Sequence, residues 1–247
     1  MAGHSKWANI KFRKAAQDAR RGKLFTKLIR EITVSARSGG GDPGANPRLR
    51  AAIDKSLGAN MTRDTVERAI KRGTGELDGV SYEEARYEGY APGGVAVLVE
   101  CTTDNRNRTV SEIRHAFTKH GGNLGAEGSV AYLFEKIGLV VFAPGVDEDS
   151  VMEAAVNAGA DDVDTNPDGS VEVTTAPETL PVVAQALDEA GLNPEFTEVV
   201  QRPASETTLE GEQAEKVVCL IEALEELEDV QDVFTNASLP EEMQAAG

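Results

Sequence analysis

From Leu24 to Arg37 the apolar residues Leu24, Phe25, Leu28, Ile29 and Ile32 recur at spacings of three and four, which predicts a helix with one apolar side. At about 100° per residue, Lys23, Lys27, Arg30 and Arg37 gather within about 80° on the opposite side. The run Ser38-Gly-Gly-Gly-Asp-Pro-Gly ends that helix in a loop. Asn46 followed by Pro47 then reads as an N-cap and first helical position, and the new helix carries Leu49, Ile53 and Leu57. A third helix begins at a Thr62 cap with Met61 and Val66 as a hydrophobic staple, and Gly73 is expected as its left-handed C-terminal residue. These three make a small helical bundle.

After the polar, glycine-rich stretch 73–81 the rhythm changes to alternation. Residues 82–90 and 94–102 predict two strands joined at Ala91-Pro92-Gly93-Gly94, then Val110, Ile113 and Phe117 mark a helix ending at Gly121-Gly122, and a strand is expected near Ser129 to Phe134. Residues 137–200 run strand, helix, strand, strand, helix, strand, the ferredoxin-like order. A helix carrying Val217, Leu220, Ile221, Leu224 and Leu227, followed by a strand from Val230 to Thr235, is left over and completes the earlier sheet. The expected architecture is therefore α+β in three domains. A basic helical domain spans 1–78, a discontinuous α+β domain spans 79–136 plus 204–240, and a ferredoxin-like domain at 137–203 is inserted into the second.

Charge divides the chain in the same place. The net charge of −17 hides 17 Lys and Arg against 6 Asp and Glu in residues 1–72, net +11, while residues 73–247 carry 8 against 36, net −28. Such asymmetry marks a polyanion-binding segment joined to a part that does something else. No stretch approaches about eighteen uncharged apolar residues, and the basic start MAGHSKWANIKFRK has no apolar region behind it. No membrane partner and no secretory signal are expected, and the cytoplasm is the expected compartment.

Few residues suggest catalysis. His4, His115 and His120 lack ligand spacing and read as surface histidines; Cys101 and Cys219 lie in apolar runs and read as buried hydrophobes. The glycine-rich run 121–128 lacks the lysine of a P-loop and follows a helix, so it reads as a helix C-cap and turn. The acidic clusters Asp161-Asp162-Val163-Asp164 and Glu225-Glu226-Leu227-Glu228-Asp229 match no calcium loop and read as solvated faces. No cofactor, no metal and no enzymatic activity are expected. Cations interleaved with aromatics begin at His4, Lys6, Trp7, Lys11 and Lys14 and continue through Arg20, Arg21, Lys23, Lys27 and Arg30; these are the candidate nucleic-acid contacts. Trp7 suits either a base-stacking contact or a core anchor. Arg106 and Arg108, in a first helical turn after a strand, suit either a second anion site or pairing with acidic neighbours.

The stretches AGHSKWANIK, RGKLFTKLIREI, SGGGDPGANPRLRAAI, ERAIKRGTGE, YEGYAPGGVAVLVE, TDNRNRT and GGNLGAEGSVAYLF resemble the YebC/PmpR family. The likeness implies a three-domain α/β protein of the bacterial cytoplasm, described as a probable transcriptional regulator that binds DNA. That family is also similar to a mitochondrial translational activator, which implies rRNA on the ribosome, with relief of stalling, as the alternative target. Oligomeric state is not legible; a monomer is the expectation.

Overall fold

The structure, a computed structural model, describes residues 21–239 and has two compact units. One comprises residues 21–131 with 211–235, the other 132–210 with 236–239.

The first unit opens with three helices, α1 (Arg21–Gly39), α2 (Pro47–Gly58) and α3 (Arg63–Thr74). Leu28, Ile32 and Ala36 of α1 close on Leu49 and Ala52 of α2 and on Met61, Val66 and Ala69 around α3, so the three-and-four spacing becomes a shared core. Asn46 caps α2 as its sequence predicts, its side chain accepting from the Leu49 N–H with Pro47 in the first turn. Thr62 caps α3 by accepting from Thr65 N–H, and Met61 and Val66 are both buried. Gly73 departs from expectation. The left-handed C-cap is Gly75, at φ 83°, whereas Gly73 is buried inside α3. A Cβ on Gly73 would collide with the Thr33 carbonyl oxygen and stand 2.7 Å from Ala36 Cβ, so this glycine lets α1 and α3 pack backbone to backbone.

The same unit holds a four-stranded sheet in the order β3-β1-β2-β9, built from β1 (Glu83–Ala91), β2 (Val95–Thr103), β3 (Asn123–Leu124) and β9 (Val230–Thr235). Helices α4 (Arg106–Lys119) and α7 (Gly211–Glu225) belong to it. β2, a run of valine and leucine buried nearly throughout, lies antiparallel between β1 and β9. The strand expected at Ser129 to Phe134 is absent. β3 is shorter and earlier, and 131–133 form a turn of 3₁₀ helix leading into β4 (Phe134–Phe142). The helical stripe on α7 buries Val217, Leu220, Ile221 and Leu224, which turns Cys219 outward; Cys101 on β2 is buried, so the expectation of two buried cysteines holds for one. Burial, with the Asp229 charge adding to it, pushes the Cys101 thiol up to about 12.

In the second unit β4, β5 (Asp162–Thr165), β6 (Val171–Thr175) and β7 (Phe196–Pro203) form an antiparallel sheet ordered β5-β6-β4-β7, crossed by α5 (Glu148–Asn157) and α6 (Leu180–Glu189). This βαββαβ series is mixed α+β, as the sequence predicts. Val140, Phe142, Val151, Val173, Val183 and Leu187 form its core. Two short parallel strands, β8 (Thr207–Thr208) and β10 (Ala237–Ser238), complete the unit.

Candidate nucleic-acid interface

Of the candidate contacts, His4, Lys6, Trp7, Lys11, Lys14 and Arg20 lie outside the described residues, and Arg21 is the first residue of α1. The next three cations point somewhere the sequence does not foretell. Lys23 Nζ donates to the Glu226 carbonyl at 3.0 Å and Lys27 Nζ to the Glu225 carbonyl at 3.2 Å. Arg30 Nη1 donates to the Glu228 carbonyl at 2.6 Å and to the Thr102 carbonyl at 3.3 Å. The basic face of α1 therefore caps the carbonyl end of α7, where unsatisfied acceptors and the negative end of the helix dipole both attract cations. Arg30 is only 4% exposed, and this corrects its reading as a phosphate contact.

Arg30 also reaches the carboxylate that organises the region. Asp229 is 1% exposed; its Oδ1 accepts from Arg30 Nη1 at 2.9 Å, and Arg108 Nη2 approaches both oxygens at 2.9 and 2.7 Å. Thr103 and Thr109 hydroxyls donate to Oδ2 at 3.1 and 2.7 Å. Burial alone would raise the carboxyl's pKa, but these hydrogen bonds from Arg108, Thr109 and Thr103, with the Arg108 charge, hold it below the usual aspartate value. Asp229 is thus a buried counter-ion and not part of a solvated acidic face. It joins α1, the end of β2 and the first turn of α4, and the Arg30 guanidinium also stands 5.2 Å from the centre of the Tyr82 ring.

Acidic pairing, one of the two readings of Arg106 and Arg108, is present in the fold. Arg108 pairs with Asp229 and, at 2.7 Å, with Asp104; Arg106 pairs with Glu83 at 3.0 Å and donates to the Glu84 carbonyl. Asn105 caps α4 by accepting from Arg108 N–H at 3.1 Å. Within the TDNRNRT stretch Thr103, Arg108 and Thr109 build the cradle for Asp229 and Asn105 the cap beside it.

A second buried carboxylate links two more of the distinctive stretches. Glu88 on β1 accepts the backbone N–H groups of Gly128, Val130 and Ala131 at 2.8, 2.7 and 2.8 Å. Those bonds more than offset burial and hold its carboxyl below the ordinary glutamate value. They also explain the missing strand, because N–H groups bonded to a carboxylate cannot serve a β-ladder. Neither Glu88 nor Asp229 was singled out by residue spacing.

Solvent meets a different set of cations. Arg63, Lys71 and Arg72 on α3 are exposed and face no carboxylate among the described residues, while Arg68 pairs with Asp64 at 2.8 Å. Arg48 bridges Glu31 at 2.8 Å and Glu84 at 2.6 Å, and is held within the unit. His115 is exposed and His120 half-buried at the end of α4. Among the described residues no group of three His, Cys, Asp or Glu side chains is placed to hold a metal ion, and no helix is long and apolar enough to cross a membrane.

Two family models divide the chain where its charge divides: the TACO1/YebC protein N-terminal domain matches residues 5–76, and the TACO1/YebC second and third domain matches 82–237. The chain belongs to the TACO1/YebC family. Its relatives include a probable transcriptional regulatory protein of Methylococcus capsulatus, 64% identical over 99% of both chains. Another of that description, from Nitrosomonas europaea, is 62% identical over 97% of this chain and 99% of its own. A crystal structure of a conserved hypothetical protein from Aquifex aeolicus is similar with a TM-score of 0.80 at 52% identity, covering 91% of this chain and 93% of that one. As a TACO1/YebC protein, the chain stands among relatives described as probable transcriptional regulatory proteins.

Proposed function

We propose that this TACO1/YebC protein is a non-enzymatic, cytoplasmic regulator of gene expression whose basic N-terminal segment, residues 1–72, binds nucleic acid, with DNA as the target. The observation that carries the reading is the charge partition, +11 in residues 1–72 against −28 in the rest. Lys23, Lys27 and Arg30 are taken up in the fold, which leaves the binding to Lys6, Lys11, Lys14, Arg20 and Arg21 together with the solvent-facing cations of α3. The names carried by the close relatives agree with a regulator.

The reading requires affinity that falls steeply with salt, because each neutralised phosphate releases counterions, at a slope of about 0.9 per contact on duplex DNA. Titration of the full chain against duplex DNA over a range of salt is the direct test. A slope near zero would refute it and favour a protein-interaction adaptor, whose basic segment docks only within the chain. Sedimentation of lysate through a sucrose gradient with and without DNase separates the targets. Co-migration with ribosomes that survives DNase and is lost in a Lys6/Lys11/Lys14/Arg20/Arg21→Ala variant would replace DNA with rRNA.

A further inference from the structure

At one end of the bundle, about the loop between α1 and α2, stand four exposed cations, Arg37, Arg50, Lys71 and Arg72, that form no ion pair with a carboxylate among the described residues. Arg50 Nε donates to the Pro43 carbonyl at 3.0 Å and its Nη2 to the Gly44 carbonyl at 3.2 Å, so its charge is fixed on the loop without a carboxylate. Gly41 packs onto α3; a Cβ there would stand 2.7 Å from Thr74 Cγ2 and 3.2 Å from Ile70 Cγ2. That contact seats the loop on the Ile70 and Thr74 side of the last turn of α3, the turn that also carries Lys71 and Arg72. The chain after α3 folds back to the same end. A Cβ on Gly79 would touch the Arg72 stem at 3.3 Å, and Arg37, at the end of α1, donates to Ser81 Oγ at 2.7 Å and to the Tyr82 carbonyl at 3.2 Å.

Three properties of this end suit a phosphodiester. Arg37, Arg50, Lys71 and Arg72 are all exposed. Among the loop's glycines Gly40 has open space where a Cβ would stand, so a backbone can approach there, and among the described residues the N–H groups of Gly41 and Asp42 have no acceptor. The loop is nevertheless held in one shape. Asn46 Nδ2 donates to the Ser35 and Gly40 carbonyls at 2.8 and 2.9 Å, and Asp42 turns its Oδ1 back to the Gly44 N–H at 2.9 Å. The acids nearest these cations are Asp42, Glu67, Glu76 and Asp78; Asp42 is engaged with Gly44, Glu76 accepts from Thr74 Oγ1 at 3.1 Å, and Glu67, one turn before Lys71, forms no ion pair among the described residues.

We propose that the 38–45 loop with Arg37, Arg50, Lys71 and Arg72 is a preformed contact for the phosphodiester backbone of a nucleic acid. The proposal rests on the nucleic-acid reading above and names where on the described head the backbone sits. Contacts of this kind position the strand and carry no sequence preference.

The test compares full-length wild type, a Lys71→Glu/Arg72→Glu variant and a Lys6/Lys11/Lys14→Ala variant. Each is titrated with duplex DNA and with structured RNA over a range of salt, and thermal melts check that all three fold. The loop contact predicts that K71E/R72E binds at least about tenfold more weakly, with a salt slope shallower by about two contacts on whichever nucleic acid the wild type prefers. Loss confined to DNA or to RNA identifies which backbone it takes. If the wild type binds with a steep salt slope and K71E/R72E matches it while the N-terminal variant fails, the loop contact is wrong and the parent reading stands. If the wild type itself shows no salt-dependent binding, both fall. Should K71E/R72E melt early, Lys71→Gln/Arg72→Gln, which adds no like charges, replaces it, and an unchanged slope there overturns the proposal equally.

Discussion

Helices α1 and α3 both carry a basic face, and the fold uses the two faces in opposite ways. Lys23, Lys27 and Arg30 of α1 lie against the carbonyl end of α7 and the buried Asp229, whereas Arg63, Lys71 and Arg72 of α3 look outward. The difference comes from what each face meets. A helix C-terminus with a carboxylate behind it satisfies cations on α1 through fixed acceptors at 2.6 to 3.3 Å. On α3 Asp64 takes Arg68, and among the described residues Glu67, one helical turn from both Arg63 and Lys71, forms no ion pair with either. A cationic stripe in a sequence is therefore a statement about an anionic partner, and that partner can belong to the same chain.

The harshest way to break the α1 arrangement is to remove its counter-ion. Asp229→Ala removes the buried carboxylate shared by Arg30 and Arg108 and leaves Arg30, 4% exposed, with the solvent-facing Glu228 carboxylate at 2.8 Å as its remaining ion pair; the loss expected is at the lower end of the range of about 3–5 kcal/mol for breaking a buried pair, read from urea unfolding at neutral pH. pH sharpens the same point. The Asp229 pKa is depressed in the fold, so its contribution is complete above the unfolded value of about 3.9 and is lost as pH falls through the lower folded value. The gap in stability between wild type and Asp229→Asn should therefore narrow on acidification below that point. A gap that holds constant down to the acid limb would show that the carboxylate's charge is not what matters.

The next largest effect concerns how close the two helices come. Gly73→Ala gains about 1 kcal/mol of helix propensity, yet its Cβ meets the Thr33 carbonyl and stands 2.7 Å from Ala36 Cβ. Overpacking costs about 1–3 kcal/mol, and the net prediction is a lower melting temperature. A melting temperature at or above wild type would mean that α1 and α3 separate easily, and that their faces are not held apart by this packing.

How much of this was legible depended on range along the chain. The Asn46 and Thr62 caps, the hydrophobic staple, the βαββαβ order and the return of 230–235 to the first sheet are signalled by residues a few positions apart or by alternation, and the structure shows each of them. Asp229 was not legible, because its partner Arg30 is 199 residues away and an acidic run looks the same whether solvated or buried. The apolar pattern of Ser129 to Phe134 fits a strand, but Glu88, some forty positions earlier, takes the N–H groups that a ladder needs. Gly73 and Gly75 are both placed to end α3, and only the approach of α1 decides which of them is the cap.

Smaller effects should follow from trimming the α1 cations at the rim. Lys23→Ala and Lys27→Ala each remove one donor from the end of α7, at distances of 3.0 and 3.2 Å. The helix-terminus interaction is worth about 0.3–1 kcal/mol and is screened by salt. Thermal melts at low and high salt should show a small destabilisation that shrinks with added salt. A loss that persists at high salt would point to lost packing of the lysine stems instead of charge.

Last in size for stability, and most telling for the comparison, is Lys71→Ala/Arg72→Ala on α3. Both side chains are exposed and neither meets a carboxylate among the described residues, so stability should stay within about 0.5 kcal/mol of wild type. Some loss is built in, since cations in a last helical turn favour the helix dipole, but alanine's higher propensity works against it. The informative measurement is unfolding at low salt beside nucleic-acid titration of the same samples. Unchanged unfolding with weakened binding would show that α3 holds its charge for a partner outside the chain. Marked destabilisation would place Lys71 and Arg72 with Lys23 and Lys27, as cations the fold keeps for itself, and would erase the distinction between the two helices.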